Sequence, residues 1–379
     1  MTIYFDNSAT TALTHDLIDF LSNSYREYYA NPSSLHSLGR KSKKAINKAR
    51  KYFAKEINAE ANEIKFLSGA TEANNTVFKI SDYDHIITSP SEHASIIEPA
   101  KAAHKSISWL NLDNEGFIDL TELESILKGQ QELGKKVLVS IMHANSEIGT
   151  IQNLEAIGKL CKQYGAIFHS DCVQSLSKIP IDVKKFNLDF ISCSAHKLHG
   201  PKGIGFLYIS ERIQEQIQDQ ALIIGGGQEE NLRSGTENLH SILAFAEALK
   251  ISSKSENIKK IRELQKYTLE RLESLPGIVI NGPKDLSKRL VTNINFAATN
   301  LNFTSEQLVL QLDLRGICIS SGSACSSNKG NPALIESSYV LRACKIPEQI
   351  AQKSVRLSVS WTNSKNEVDK FIEILENLV

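Results

Sequence analysis

Short runs of β-branched and aromatic residues alternate with amphipathic helical patterns as far as about residue 210. The predicted strands are HIITS, ISWLNL, KVLVSIM, AIFHS, DFISCS and IGFLYIS, at residues 85–89, 107–112, 136–142, 166–170, 189–194 and 204–210. Segments such as NLEAIGKLCKQYG, with apolar residues on one helical face, separate them. This alternation is typical of crossover units in a mostly parallel sheet, where ligands bind at the carboxyl ends of the strands.

The pattern changes in the second half of the chain. A helical stretch begins near residue 237, and the Ser/Lys/Glu-rich segment ISSKSENIKK, residues 251–260, interrupts it. This interruption is the best candidate for a domain boundary. The remainder combines short strand-like runs with the helical pattern NEVDKFIEILENL. It predicts a smaller α+β domain after a larger α/β domain.

Length and charge limit the classes of function. The 379 residues, 41% of them hydrophobic, are enough for two domains with a substantial core. Lys+Arg and Asp+Glu are equal at 43 each, so no basic surplus argues for direct nucleic-acid binding. The N-terminus lacks the pattern of a secretory signal, and no stretch approaches eighteen consecutive apolar residues. We therefore expect no membrane association and a cytoplasmic location.

Lys197 is the first candidate for chemistry. It follows the predicted strand LDFISCS within SAHKLHGPKG, and Asp171 and Gln174 follow the preceding strand. Pyridoxal phosphate needs an amine for its Schiff base and a carboxylate on its pyridine nitrogen, so that its ring can act as an electron sink. Taken alone, Lys197 is typical of a surface lysine. The acid nearby and the flanking Ser194 and His196 favour the cofactor.

Three other stretches suit the same cofactor. The run EIKFLSGATEANNTVF, residues 63–78, predicts a strand, a turn and a helix that starts near Thr71, which points backbone N–H groups at an anion. His93 follows a strand, where an imidazole can stack on the ring and move protons, although a structural histidine is the commoner case. In GGGQEENLRSGTEN, residues 225–238, Thr236 can donate to a phosphate, and the alternative is a flexible surface loop.

Cys325 lies in SSGSACSS, residues 320–327, with no apolar neighbours to bury its thiol. Cysteine is normally among the most buried residues, so a small, polar surrounding favours a reactive group that can reach a sulfur atom. The other five cysteines fit core packing. No CxxC pair occurs, so neither a zinc ribbon nor a disulfide framework is indicated, and we expect no metal site.

Nine motifs occur in a fixed order between residues 4 and 327: YFDNSATT, SGATEANN, SEHASI, HANSEIGTIQ, HSDCVQS, SAHKLHGPKGIG, GGGQE, RSGTEN and SSGSACSS. Together they resemble the cysteine desulfurases of the class V aminotransferase group, which have fold type I. SSGSACSS is similar to the branch with a mobile catalytic loop. The resemblance implies a large cofactor-binding domain of residues 14–255, and a small domain of residues 1–13 and 256–379 that carries the cysteine loop.

The resemblance also implies roles for the candidate residues. Lys197 holds pyridoxal phosphate as a Schiff base and moves a proton, Asp171 pairs with the pyridine nitrogen, and Gln174 bonds the phenolic oxygen. His93 stacks on the ring and acts as acid and base. The residues expected around the phosphate are Ala70, Thr71, Ser194, His196 and Thr236. Thr236 is expected to come from the second subunit of a homodimer.

For the substrate, the resemblance implies L-cysteine. Arg356, in SVRLSVS, would clamp the substrate carboxylate with its planar fork, whereas a surface arginine on a strand is the alternative. The Cys325 thiolate would attack the substrate sulfur, leaving L-alanine and a persulfide on Cys325. A protein acceptor, such as an iron–sulfur scaffold or a thiolation enzyme, would then take the sulfur.

The chain departs from the family pattern at three places. Ser146 stands where the family usually has a second asparagine that contacts the cofactor, and its shorter side chain weakens that contact or leaves it to water. The loop after Cys325 carries extra residues, and Ser360-Trp361 replaces the usual small or basic continuation after Arg356. The last two changes bear on which acceptor takes the sulfur.

Two other classes of function stay open from the sequence. The same cofactor could serve transamination or selenocysteine lysis, in which case Cys325 would be dispensable. Alternatively, the chain could be a sulfur relay or scaffold whose binding surface matters more than turnover. The presence of both Lys197 and Cys325 argues against the scaffold, and the visible absorbance of a bound cofactor would discriminate it from an enzyme.

Overall fold

The computed structural model describes residues 2–214, 217, 221–322 and 337–378 of the chain. The strands in these ranges are β1 (Ile3–Tyr4), β2 (Ile64–Leu67), β3 (His85–Thr88), β4 (Ser106–Trp109), β5 (Val137–Ser140), β6 (Ile167–Asp171), β7 (Phe190–Ser194), β8 (Gly205–Ile209), β9 (Ile278–Asn281), β10 (Asn293–Ala298), β11 (Ile317–Cys318) and β12 (Ser354–Ser358). All six strands predicted from the sequence are confirmed, as β3 to β8.

The α-helices of the same ranges are α1 (His15–Glu27), α2 (Ser37–Glu56), α3 (Ala70–Ile80), α4 (Ala94–Ala102), α5 (Leu120–Glu132), α6 (Leu154–Gln163), α7 (Glu211–Gln214), α8 (Leu239–Ser252), α9 (Ser255–Glu273), α10 (Ser305–Asp313), α11 (Tyr339–Ala343), α12 (Glu348–Ala351) and α13 (Lys365–Glu376). None of them is both long and apolar enough to span a lipid bilayer.

Seven strands form the central sheet, in the order β2-β8-β7-β6-β5-β3-β4. Its pairs are parallel except those of β8, which runs antiparallel to both β2 and β7. This confirms the predicted α/β fold with a mostly parallel sheet. The carboxyl ends of β3, β6 and β7 therefore lie at one edge, where such sheets bind ligands.

Helices cover both faces of the central sheet, and alternate residues of each strand serve the two faces. In β8, Phe206 packs in one hydrophobic cluster and Leu207 in another. In β5, Val139 and Leu138 divide in the same way. This period of two is the pattern of a strand that is buried on both sides, and it explains why these strands read as continuous apolar runs.

A second core lies in the C-terminal part of the chain. Strand β10 runs antiparallel to β9 and β12 in a three-stranded sheet, and β1 pairs in parallel with β11. The N-terminal Phe5 packs edge-on against Phe371 of α13, and both belong to this core. Helix α8 contributes to the first core and α9 to the second, and only Ser253 and Lys254 separate the two helices.

Candidate active site

Three predicted site residues follow strands at the same edge of the central sheet. His93 lies on the segment after β3, Asp171 is the last residue of β6, and Lys197 ends a 3₁₀ turn, Ala195–Lys197, that directly follows β7. Strands β6 and β7 are parallel neighbours, with Asp171 opposite Ser192. The short turn after β7 is what delivers the Lys197 amine to this edge.

The N-terminal segment forms one wall beside Lys197. The Lys197 Nζ donates to the carbonyl oxygens of Ser8, at 2.8 Å, and Ala9, at 2.6 Å. Gln174 Nε2 donates to the same Ser8 oxygen at 3.0 Å. Thr11 N bonds the His196 carbonyl at 2.9 Å, so the motif near the N-terminus is fastened to the lysine turn.

The Asp171 carboxylate is held at both oxygens. Oδ1 accepts from the Val173 N–H at 3.0 Å, and Oδ2 accepts from Asn74 Nδ2 at 3.0 Å. The side chain is 8% exposed. A carboxylate held in this way keeps a fixed direction, which suits a permanent partner for a protonated ring nitrogen.

His93 caps the N-terminus of α4. Its Nδ1 accepts from the Ser95 N–H at 3.1 Å and lies 2.7 Å from the Ser95 hydroxyl. Burial lowers the pKa of His93, the charge of Asp171 raises it, and that of Lys197 lowers it. The ring is therefore mainly neutral near pH 7 and is electrostatically connected to both other candidates.

The candidate anion site is where α3 begins at Ala70, close to Ser194. The first turn of a helix leaves backbone N–H groups unpaired, including that of the predicted Thr71. A Cβ added at Gly69 would stand 3.8 Å from the Ser194 hydroxyl. Gly205 lets the neighbouring strand pass close to this turn, since a Cβ at 205 would lie 2.8 Å from the Gly69 Cα.

His196 lies beside this anion site. Its Nδ1 is 3.2 Å from Thr10 Oγ1. Burial, with smaller contributions from the charges of Lys197 and Lys202, lowers its pKa to about 4. His196 is therefore neutral at physiological pH and keeps one N–H with which to donate a hydrogen bond.

The structure holds the segment around residues 227–235 by ion pairs, which contradicts a simple flexible loop. Glu229, Glu230 and Asn231 have left-handed backbones with φ of 49°, 57° and 66°. Both Glu229 oxygens accept from the Arg50 guanidinium at 2.7 Å, and Arg233 pairs with Glu72 of α3 at 3.1 Å.

Thr236 itself is exposed and makes no hydrogen bond to another described residue of its own chain. The structure therefore does not bring Thr236 into the cluster of the other candidates.

Arg356 occupies the middle of β12 and is only 2% exposed, which excludes the surface arginine alternative. Its NH2 group donates to Asp6 Oδ1 at 2.8 Å, while its Nε is buried with no partner among the described residues. Its backbone pairs with Ser320, through bonds of 2.7 and 3.0 Å. The strand that holds the arginine thus also holds the start of SSGSACSS.

The structure says little about the place of Cys325 and Ser146 in the site. Cys325 lies outside the described residues. Ser146 is half-buried, and its backbone carbonyl accepts from Asn293 Nδ2 at 3.0 Å. The neighbouring Asn145 is buried and its Oδ1 accepts the N–H groups of residues 147 and 148, so it shapes the turn that presents Ser146.

Several polar residues near the site escaped the sequence analysis. Asn74 bonds Asp171, Asp6 pairs with Arg356, and the half-buried Lys178 donates to the Lys197 carbonyl. Glu92, directly before His93, is fully buried: its Oε1 accepts from the Met142 N–H at 2.7 Å, and burial raises its pKa. Three of the four lie within the quoted motifs, but only the folded structure shows that their side chains turn inwards.

The donor set fits pyridoxal phosphate. The edge of the sheet offers one amine, a fixed carboxylate, a neutral imidazole and an anion site of backbone N–H groups and a hydroxyl, and each matches one part of that cofactor. The Ser194 hydroxyl and the first backbone N–H groups of α3 lie together, which is the donor set that a phosphate group needs. Gln174 and Asp171 lie on the loop and strand next to the amine.

Comparison with known proteins gives consistent results. The family model "Aminotransferase class-V" matches residues 3–371. A cysteine desulfurase named IscS from Clostridium botulinum is 38% identical over 100% of this chain and 94% of its own length. A NifS-like protein from Rickettsia africae is 33% identical with a TM-score of 0.87, covering 100% of this chain and 99% of its own. The apo cysteine desulfurase from Thermococcus onnurineus is 27% identical with a TM-score of 0.85, over 100% and 94% of the two chains.

Proposed function

This chain belongs to the class V aminotransferase family, and we propose that it is a pyridoxal phosphate-dependent cysteine desulfurase. The reaction converts L-cysteine to L-alanine and leaves the sulfur on the enzyme as a persulfide. The single observation that carries the proposal is the convergence of Lys197, Asp171 and His93 at one edge of the sheet, with Arg356 buried but only partly paired.

The cofactor would be held by the residues at this edge. Lys197 provides the amine for its Schiff base, Asp171 the partner of its ring nitrogen, and Gln174 a donor to its phenolic oxygen. The phosphate would be held by Ala70, Thr71, Ser194 and His196. When bound, the cofactor supplies an electron sink that stabilises negative charge on the carbon next to the substrate amine.

Arg356 binds the substrate carboxylate in this proposal. Asp6 occupies one side of the guanidinium at 2.8 Å, and the buried Nε is the donor without a partner. A carboxylate that bonds Nε would satisfy it with a charge-assisted hydrogen bond. Ser146 offers a hydroxyl where the family usually has a longer amide, so its contact with the cofactor would be weaker or made through water.

Two of the chain's own groups handle protons. Lys197 Nζ would remove the proton from the substrate α-carbon and later return a proton to carbon. His93 is mainly neutral and half-buried near Asp171 and Lys197, so it can exchange a proton with a group in the pocket.

Sulfur transfer requires a thiolate, which Cys325 supplies. A bond forms between the Cys325 sulfur and the substrate sulfur while the carbon–sulfur bond of the substrate breaks. The electron pair of the broken bond stays on the substrate carbon and takes up a proton, which gives L-alanine. The terminal sulfur of the Cys325 persulfide then passes to a protein acceptor of an iron–sulfur assembly or thiolation pathway.

We propose a homodimer that works in the cytoplasm. The Thr236 side chain is exposed in its own chain, although its segment is fixed to α3 through Arg233 and Glu72. An exposed hydroxyl on a rigid segment can complete the phosphate site of a second copy. The exposed apolar side chains of Leu222, Ile223 and Ile224 come just before this segment and support an interface there.

The test compares two cysteine variants. Cys325→Ser should bind the cofactor and L-cysteine, because Lys197, Asp171 and Arg356 remain, but its release of alanine should fall at least about a hundredfold, since serine is a poor nucleophile towards sulfur. Cys318→Ser is the control, a partly exposed cysteine of β11. Alanine formation at the wild-type rate by Cys325→Ser would refute the desulfurase and favour a lyase or transaminase.

A further inference from the structure

Asn74 connects two of the candidate catalytic residues through one amide group. It lies on the inner face of α3 and is completely buried. Its Nδ2 donates to Asp171 Oδ2 at 3.0 Å and to the Ser95 hydroxyl at 2.8 Å. The Ser95 hydroxyl is in turn 2.7 Å from His93 Nδ1. Asn74 thus makes two branches, one to Asp171 and one through Ser95 to His93, and no other described side chain bonds both Asp171 and Ser95.

The direction of each hydrogen bond in this chain can be worked out. A carboxylate oxygen only accepts, so the nitrogen of the Asn74 amide must face Asp171. Its second hydrogen then goes to Ser95, whose oxygen accepts it and keeps its own proton to donate. The acceptor for that proton is His93 Nδ1.

A second donor at the same atom fixes the result. The Ser95 backbone N–H also points at His93 Nδ1, at 3.1 Å. A nitrogen that faces two donors cannot carry a proton of its own without placing hydrogens against each other. The neutral ring must therefore carry its proton on Nε2.

We propose that Asn74 is a positioning residue that aligns Asp171 and, through Ser95, holds His93 in the Nε2-protonated form. The proposal rests on the proposed function in one respect, namely that Asp171 and His93 face the bound cofactor. The hydrogen bonds themselves do not depend on it. It follows that His93 begins each cycle as a proton donor at Nε2. Removal of the α-proton is then left to Lys197.

The cost of this arrangement appears at the other end of the amide. Asn74 Oδ1 is buried without a partner among the described residues. An unsatisfied buried acceptor destabilises a fold by about 1–3 kcal/mol. Leucine has a similar size and would avoid that cost, so stability alone does not explain an asparagine here. The asparagine is explained by a role for its two N–H groups.

The first experiment reads the protonation of His93 directly. Holoenzyme labelled with [15N]histidine is studied by solid-state NMR, and His93 is assigned from the spectrum of the His93→Gln variant. We expect a protonated Nε2 and an unprotonated Nδ1, in the holoenzyme and in the cofactor-free protein. A protonated Nδ1 in either form would overturn the proposal.

The second experiment separates the two branches. Asn74→Ala should change both the His93 Nδ1 resonance and the visible spectrum of the bound cofactor, whereas Ser95→Ala should change only the resonance. We expect kcat for Asn74→Ala to fall about tenfold with KM nearly unchanged, the effect of one lost hydrogen bond to a charged group.

Asn75→Ala is the matched control, because Asn75 follows Asn74 on the same helix and its Nδ2 donates only to the Thr71 carbonyl, at 2.8 Å. Asn74→Ala matching Asn75→Ala in resonance, spectrum and kcat would refute the proposal. If the protein did not desulfurate cysteine but His93 showed the expected resonances, only the proposed function would fail.

Discussion

The Lys178 ammonium group donates a hydrogen bond to the backbone carbonyl oxygen of Lys197 at 3.2 Å. Lys178 is half-buried and forms no ion pair with a described carboxylate. Burial and, to a smaller extent, the charge of Lys197 together lower its pKa to about 7. A second amine thus lies behind the candidate Schiff-base lysine and titrates near physiological pH.

This burial predicts a pH-dependent cost in stability. Below pH 7 the folded chain must hold a partly desolvated charge. Between pH 7 and about 10, folded Lys178 is neutral and only the unfolded chain keeps the proton, so stability rises with pH. Lys178→Met should therefore be more stabilising at pH 6 than at pH 9, by about 2 kcal/mol. Urea unfolding at both pH values measures this, with the exposed Lys162→Met as control. An equal effect at both pH values would contradict it.

His169 should make the folding stability depend on pH on the acidic side. It is fully buried between the hydroxyls of Ser140, at 2.9 Å, and Ser192, at 3.0 Å, and burial lowers its pKa to about 3. As pH falls below 6.5, the unfolded chain takes up a proton that folded His169 refuses, so stability is lost. His169→Gln should be less stable than the wild type at pH 7, with a gap about 2 kcal/mol smaller at pH 5. The exposed His15→Gln should show no such narrowing in the same unfolding measurements.

Lys197 should be the residue that holds the cofactor covalently. Borohydride reduction of the wild-type holoenzyme should fix pyridoxal phosphate to a peptide that contains Lys197, as mass spectrometry can determine. Lys197→Ala should yield no such adduct, while the exposed Lys202→Ala should yield the normal one. Cofactor trapped on Lys202 in the Lys197→Ala protein would show that the assignment is wrong.

Replacing Arg356 should weaken substrate binding much more than it slows the chemical steps. Arg356→Lys keeps the charge but loses the fork that serves Asp6 and the substrate together, so KM for L-cysteine should rise about 10- to 100-fold while kcat changes much less. Steady-state alanine formation separates the two constants. The exposed Arg315→Lys is the control, and an unchanged KM for Arg356→Lys would remove Arg356 from the substrate site.

The fold was accessible from sequence because strands buried on both faces read as apolar runs between amphipathic helices. The direction of β8 was not, since no local pattern tells a parallel strand from an antiparallel one. The sequence alone does not distinguish the roles of the adjacent residues Asn74 and Asn75. A helical rotation of about 100° per residue turns the first towards Asp171 and leaves the second partly exposed.

The candidate site likewise has residues that the sequence predicts and residues that only the folded structure reveals. His93, Asp171 and Lys197 were recognisable because each follows a strand. Asp6 lies 350 residues from Arg356, so their ion pair depends entirely on tertiary structure. No spacing in the chain encodes it.

The backbone pairing between Ser320 and Arg356 turns the cysteine segment into an arm of known length. From that anchor, the five residues to Cys325 reach at most ~17 Å when fully extended. With Cys325 as the proposed sulfur carrier and Arg356 as the proposed substrate clamp, sulfur would be handed over inside a sphere of about that radius, centred close to the clamp. An acceptor must bring its receiving atom into this sphere, so the shape of the acceptor's surface, as well as its chemistry, selects which protein is served.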